Sequence, residues 1–193
     1  MNKPELLILS GLPGSGKSTK RTEWIARDPQ RRFSICYDDL RLQLFGPDWI
    51  FNYADEKKMK AEADDITKVY LDGGYSIVID NTNLTSKAKA HWRELGQQAG
   101  AEVVEEELDT PIDECVRRDR LRGMHISECP QYGNGPVYSG GKLQGIISSP
   151  GMACNCGTSG KRVGQAVINR MALFTGWIDW EDYPKQLVLV DMD

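Results

Sequence analysis

Apolar positions along the chain keep two alternating rhythms. Short runs of strand length recur at Leu6–Ser10, Arg32–Tyr37, Tyr75–Ile79 and Glu102–Leu108. Between them, apolar residues return at three- and four-residue spacing, the period of a helix. The first such stretch runs from Lys17 to Ala26 with Trp24 and Ile25 inward, and Asp28-Pro29 ends it. A second runs from Asp39 to about Phe45, where Gly46-Pro47 breaks the pattern. A third, from about Asp55 to Asp72, puts Met59, Ala63, Ile66, Val69 and Tyr70 at helical spacing and ends at Gly73-Gly74. Its charged positions, Glu56, Lys57, Lys58, Lys60 and Glu62, read as a solvated face. Thr85 can cap a fourth helix from Ser86 to about Ala99, closed by Gly100. Thr110 and Pro111 are placed to cap and start a fifth. Three consecutive glutamates in the last strand suggest that one side of it meets water. Strands alternating with helices at this spacing predict an α/β fold, a parallel sheet flanked by helices with right-handed crossovers.

Both rhythms fail after the fifth helix. From Met124 to about Gly160 the chain is rich in Gly, Ser and Pro, and it reads as an insertion in the domain. This stretch carries His125, Cys129, Cys154 and Cys156, which together could supply four ligands for tetrahedral zinc. The alternative is a loop with three spare thiols. Helical spacing resumes from about Val163 to Phe174, with Val167, Ile168, Met171 and Phe174 facing inward and Gly176 as the stop. The chain finishes on an apolar run, Gln186 to Val190, followed by Asp191-Met192-Asp193.

Composition narrows the class. At 193 residues the chain suits one domain with an insertion, 1–193, large enough for a sizeable core. A net charge of −4 argues against a broad duplex-coating surface and leaves room for a local basic groove. Met1-Asn2-Lys3-Pro4-Glu5 does not read as a secretory signal, and no apolar run has the length of a membrane span. With five cysteines, an odd number, the expectation is a cytoplasmic protein with reduced thiols.

The chemistry concentrates at strand ends. The first strand leads into Gly11-Leu12-Pro13-Gly14-Ser15-Gly16-Lys17-Ser18, the spacing G-x-x-x-x-G-K-[ST] of a phosphate-binding loop, followed by Thr19. Glycines let successive backbone N–H groups converge on one phosphate, Lys17 supplies a point charge for the outer phosphates, and the Ser18 hydroxyl suits the magnesium of a nucleoside triphosphate. The helix that follows adds its positive dipole end. At the end of the second strand stand Asp38-Asp39-Leu40-Arg41, where ligands of open α/β sheets bind. Asp38 is placed either to act on a substrate or to cap the next helix, and Arg41, three residues on, shares its side. The third strand ends in Asp80-Asn81-Thr82-Asn83; an aspartate closing an apolar run is the usual magnesium-side partner of such a loop. The fifth helix carries Arg117, Arg118, Arg120 and Arg122, either solvated or closing over a transferring phosphate.

These elements resemble the kinase domain of phage-type polynucleotide kinases, the 5′-hydroxyl kinases of nucleic-acid repair. The likeness rests on Gly11 to Thr19, Asp38-Asp39-Leu40-Arg41, Asn81-Thr82-Asn83-Leu84, and Arg118 with Arg122. It covers roughly residues 6–123 and resumes at 162–174. It implies Asp38 as general base, Arg41 on the 3′-phosphate of the acceptor, and Arg122 on the moving phosphate. It also implies Gly11, Pro13, Gly14, Ser15, Gly16, Lys17, Ser18, Thr19 and Arg118 around ATP and Mg2+, and Asn81, Thr82 and Asn83 beside Arg41 at the acceptor. The chain departs from the family in two places: Asn81 stands where the phage enzyme has aspartate, and the phage lid is short where this chain has residues 124–160. Val188 to Asp193 resembles the first strand and D-x-D of haloacid-dehalogenase-type phosphatases, so residues 186–193 read either as the start of a second domain or as a fifth strand. The resemblance implies a DNA or RNA end with a 5′-hydroxyl, single-stranded or frayed, as partner. Related kinases that act on a hydroxymethylated DNA base or a nucleotide sugar are the alternative, and a nucleotide-gated binding module is the alternative of another class.

Overall fold

The computed structural model describes residues 3–46, 50–121, 135–139, 142–147 and 163–175. They form two compact units. The first comprises Met1–Gly11 and Ser15–Asp109, the second Leu12–Gly14 and Thr110–Asp193.

The first unit is built on a parallel sheet of β1 (Glu5–Ser10), β2 (Arg32–Ile35), β3 (Ser76–Asp80) and β4 (Glu102–Glu107), in the order β2-β3-β1-β4. Every pairing is parallel, with Leu6 to Leu9 of β1 opposite Ile77 to Asp80 of β3. Helices α1 (Lys17–Ala26), α2 (Tyr37–Phe45), α3 (Tyr53–Asp72) and α4 (Ser86–Gln98) connect the strands. Successive side chains of a strand point to opposite faces, and both faces of β1 are buried. Leu6 and Ile8 join Ile77, Ile79, Met59, Ala63, Leu71, Trp92 and Leu95 on the face covered by α3 and α4. Leu7 and Leu9 join Val78 and Trp24 of α1 on the other. A strand enclosed on both sides needs an unbroken apolar run, which is what Leu6-Leu7-Ile8-Leu9 supplies.

In β4, at the edge of the sheet among the described residues, Glu105 and Glu107 share one side and are exposed, as expected, and the glutamates are also paired. Glu105 pairs with Arg93 and Glu107 with Lys89, both on α4, at 2.6 Å. Glu106 turns to the opposite face and meets Lys20 of α1, also at 2.6 Å. The alternation of the strand thus ties it to helices on both faces.

Several boundaries and faces differ from the sequence expectation. Helix α2 begins at Tyr37, with Cys36 in the capping position, because β2 ends at Ile35. Asp38 is therefore inside the first turn and does not cap the helix. The Tyr37 N–H donates instead to Asn81 Oδ1, 2.9 Å away. Helix α3 starts at Tyr53, capped by Asn52, whose side chain accepts from the Asp55 N–H. Its inner face is Met59, Ala63, Thr67 and Leu71, and Val69 is exposed. The Thr67 hydroxyl, buried there, donates to the Ala63 carbonyl, so a polar residue can sit in the core stripe. Thr85 caps α4 as expected, accepting from the Ala88 N–H at 3.2 Å.

The second unit contains α5 (Ile112–Leu121), an antiparallel hairpin of β5 (Gly135–Ser139) and β6 (Lys142–Ile147), and α6 (Gln165–Phe174). Pro111, not Thr110, occupies the capping position of α5: its carbonyl takes the first helical bond, from the Cys115 N–H. The hairpin was not expected, since glycine and serine dilute any alternation of apolar residues there. Ile168, Asn169, Ala172 and Leu173 are the buried positions of α6, while Val167 and Phe174 are exposed, so its inner face is turned from the one predicted. Asp119 of α5 is 1% exposed and accepts from the N–H groups of Val163 and Gly164, each at 2.8 Å. This carboxylate fastens the entry to α6 onto α5. Arg122, His125, Cys129, Cys154, Cys156 and residues 186–193 lie outside the described residues.

Candidate active site

The carboxyl ends of β1 and β3 lie side by side, Leu9 opposite Asp80, and the chain leaving each is braced on the other. The Gly11 N–H donates to the Thr82 carbonyl at 3.0 Å. Asn83 Nδ2 donates to the Leu9 carbonyl at 2.7 Å, with Asn83 in the left-handed region at φ 44°. Asparagine tolerates that backbone better than most residues. Thr82 and Asn83, predicted at the acceptor, thus also hold the start of the phosphate loop in place.

Helix α1 opens with Lys17, and no side chain caps it. Its first-turn N–H groups and the positive end of its dipole are therefore not neutralised by a side chain, as an anion site requires. Lys17 is buried, and its ammonium donates to the Gly11 carbonyl at 2.8 Å and to Ser15 Oγ at 3.5 Å. Ser18 and Thr19 are exposed in the first turn. Gly11 admits no side chain: a Cβ would come within 2.6 Å of Ser15 Oγ, and its φ is 152°. The exposed Ser18 hydroxyl and the Asp80 carboxylate are hard oxygen donors of the kind magnesium takes with a triphosphate, and the residues present fit that group. Asp80 is 6% exposed, and Arg21, one turn along α1 from Lys17, holds it at 3.1 Å. Arg21 also reaches Asp39 at 3.4 Å, linking the phosphate-loop helix to the first turn of α2.

Asp38 and Arg41, both proposed from sequence, meet in one network with Glu56. Arg41 Nη1 donates to Asp38 Oδ1 at 2.6 Å. Arg41 Nε and Nη2 donate to the two oxygens of Glu56, both at 2.9 Å, a fork-on-fork pair. These bonds hold the Glu56 carboxyl below its ordinary range and push the Arg41 guanidinium further up. Asp38 itself is 87% exposed in its side chain, tethered yet open to solvent. Asn81 Oδ1, by accepting from the Tyr37 N–H, sets the first turn of α2 on which Asp38 rides. The Asn81 Nδ2 is buried with no hydrogen-bond partner. Burial pushes the neighbouring Cys36 thiol up, so it stays protonated and takes no part as a thiolate.

Sequence reasoning missed Glu56 and Arg21. Glu56 was assigned to a solvated face, and the clue available was its place on the first turn of α3, one turn in from Asn52. Arg21 carried no motif; only its four-residue spacing from Lys17 marked it.

In the second unit, Gly14 has φ 89°, and a Cβ there would meet the Cys115 carbonyl oxygen at 2.5 Å. Arg118 Nη1 donates to the Gly14 carbonyl at 3.3 Å. Glu114 holds Arg118 at 2.7 Å and Arg117 at 2.6 Å. The hydrogen bonds from Arg117 and then Arg118 bring the Glu114 carboxyl down to about 2. Pro13 is buried. Among the described residues there is no cluster of His, Cys, Asp and Glu able to hold a metal by itself, and no helix long and apolar enough to cross a membrane.

Comparison with known proteins bears on the family and the fold. Over 123 residues the chain is 30% identical to the adenylyl-sulfate kinase of Pseudomonas aeruginosa, a match covering 61% of this chain and 60% of that protein. A chain in a structure of the Pnkp1/Rnl/Hen1 RNA repair complex superposes with a TM-score of 0.55 at 26% identity, covering 73% of this chain and 42% of that one. A chain in a second structure of the Pnkp1/Rnl/Hen1 complex gives a TM-score of 0.54 at 24% identity, over 80% and 47%. The chain therefore spans about 60% of the length of the curated relative and under half of the repair-complex chains. The family model of the AAA domain designated AAA_33 matches residues 6–131, more than half of the chain. On that match, and on the parallel sheet and phosphate loop described above, the chain belongs to the AAA_33 family and has its P-loop kinase fold.

Proposed function

We propose that the protein is an ATP- and magnesium-dependent kinase that transfers the γ-phosphate to a 5′-hydroxyl end of DNA or RNA. The observation that carries this is the Asp38–Arg41–Glu56 network. A switch protein needs no exposed carboxylate beside a clamped arginine, whereas a kinase needs a base for the attacking hydroxyl and a cation for the acceptor's charge. Asp38 accepts the hydroxyl proton as that oxygen bonds to the γ-phosphorus and the bond from phosphorus to the bridging oxygen breaks, releasing ADP. Arg41, oriented by Glu56, holds the 3′-phosphate of the terminal nucleotide. Asn81 Nδ2 is a donor left for the acceptor, since a buried amide without a partner costs about 1–3 kcal/mol. Lys17 and the first turn of α1 hold the triphosphate. Magnesium, held at Ser18 and Asp80, would offset charge on the phosphates. The resemblance assigns Arg122 to the transferring phosphate and Arg118 to the nucleotide.

The likeness to a chain of an RNA repair complex supports a nucleic-acid acceptor. The 30% identity to an adenylyl-sulfate kinase favours a second reading, a small adenylylated acceptor. Incubation with γ-labelled ATP and magnesium, offered 5′-hydroxyl oligonucleotides in one arm and adenylyl sulfate in the other, separates them. Label on the oligonucleotide is the expected result. Label on adenylyl sulfate alone would replace the first reading with the second.

A further inference from the structure

Tyr53 is the first residue of α3, and its side chain stands 84% exposed. Most rings of the first unit are packed into the fold: Phe33 lies against Tyr70 and Tyr75, and Tyr37 against Trp92. Tyr53 instead meets the ring of Phe51 edge-on, at 5.2 Å between centroids and 77° between planes, and Phe51 is itself 56% exposed. An edge-to-face neighbour steadies a ring and leaves at least one of its faces available for stacking.

The position of this pair on α3 matters. Glu56, three residues after Tyr53, is the residue that grips Arg41. Lys57 and Lys60, four and seven residues after it, lie on the same side of the helix and are exposed. Lys60 Nζ reaches Glu56 Oε1 at 3.5 Å. An exposed aromatic ring, the glutamate that clamps Arg41 of α2, and two lysines therefore follow one another along about two turns of α3. Rings interleaved with cations are how proteins hold single-stranded nucleic acid without reading its sequence, the bases stacking and the phosphates pairing.

From this juxtaposition we infer that Tyr53, steadied by Phe51, is a stacking platform for the second nucleobase of a single-stranded acceptor. The inference rests on the assignment of Arg41 to the phosphate that follows the first nucleotide. The base beyond that phosphate is carried toward the start of α3, one helical turn from Glu56. The contact is indifferent to base identity, and it gives an oligonucleotide an advantage over a mononucleotide at the same catalytic groups.

The test compares three acceptors that share a 5′-terminal nucleotide: a nucleoside 3′-phosphate, a short oligonucleotide, and the same oligonucleotide with its second position abasic. Tyr53→Ala is expected to raise KM for the intact oligonucleotide by about 5- to 150-fold, the range of one lost stacking contact. KM for the other two acceptors and kcat for all three should stay unchanged, and Tyr53→Phe should restore the wild-type value. A KM that does not move, or that rises equally for the mononucleotide, overturns the platform. Fluorescence anisotropy of a labelled 5′-hydroxyl oligothymidylate reads the same contact without turnover. If the wild-type protein phosphorylates no 5′-hydroxyl end, the kinase assignment fails by itself. The platform then stands if Tyr53→Ala weakens oligothymidylate binding, and falls if it leaves binding unchanged, as an aromatic pair serving a protein partner would.

Discussion

At the scale of single residues, two carboxylates on neighbouring elements divide the work. Asp38 is exposed and tethered through one oxygen to Arg41, while Glu56 is 13% exposed and gives both oxygens to the same guanidinium. Asp38→Asn keeps shape and helix but loses the basic oxygen. Turnover should fall by about 10²- to 10⁴-fold, with nucleotide affinity and melting temperature nearly unchanged, as single-turnover and calorimetric measurements would show. Asp39→Asn should do less, because Asp39 points to Arg21. Were Asp39→Asn inactive and Asp38→Asn normal, the assignment of the base would be off by one residue. Glu56 makes a prediction about pH. Its carboxyl is held down by hydrogen bonds from Arg41, so the pair stabilises the fold fully above the ordinary carboxylate value of 4.5. That contribution fades as pH falls through the lowered folded value. The gap in melting temperature between wild type and Glu56→Gln should therefore be constant above about pH 5 and narrow in acid. A gap that widens in acid would contradict the pairing.

At the scale of elements, the start of α2 depends on a residue from another strand. Asn81, just past β3, supplies the cap that Cys36 lacks. Asn81→Ala should cost about 1 kcal/mol, read as a lower denaturation midpoint, and Asn81→Asp should recover most of it, since either side chain offers the acceptor oxygen. Equal losses for both variants would mean that the bond from the Tyr37 N–H to Oδ1 is not what Asn81 contributes. The same arrangement explains what was legible in the sequence. β1, the phosphate loop and α1 could be placed because Leu6 to Leu9, the loop spacing and the helical period agree within one local stretch. The salt bridge of Arg41 with Asp38 follows from three-residue spacing. Glu56 could not be found in this way, because its partner is 15 residues distant and a glutamate facing another element has the same periodicity as one facing water. Caps donated across the fold, such as Asn81 to Tyr37 and Asp119 to Val163, leave no local signature either. The inner face of α6 was misplaced because Asn169, a buried polar residue, breaks the apolar stripe that would have marked it.

At the scale of the molecule, the carboxylate of Asp119 has a consequence that polymer statistics express best. It holds residues 44 and 45 positions further along the chain, so both ends of the intervening stretch are pinned at one point. The entropy of closing a loop grows only with the logarithm of its length, and each halving returns about 0.6 kcal/mol. The length of that stretch is thus nearly decoupled from the stability of the junction beneath it. Replacing residues 124–160 by a short Gly-Ser linker should leave the melting temperature within a few degrees of wild type. Asp119→Ala, which releases the pinned ends and leaves two part-buried N–H groups without this acceptor, should lower it more, although it removes only a few atoms. Should the shortened chain melt far below Asp119→Ala, the stretch would be part of the packed structure. The two ends would otherwise act as a fixed socket, able to accept segments of different length with little thermodynamic penalty.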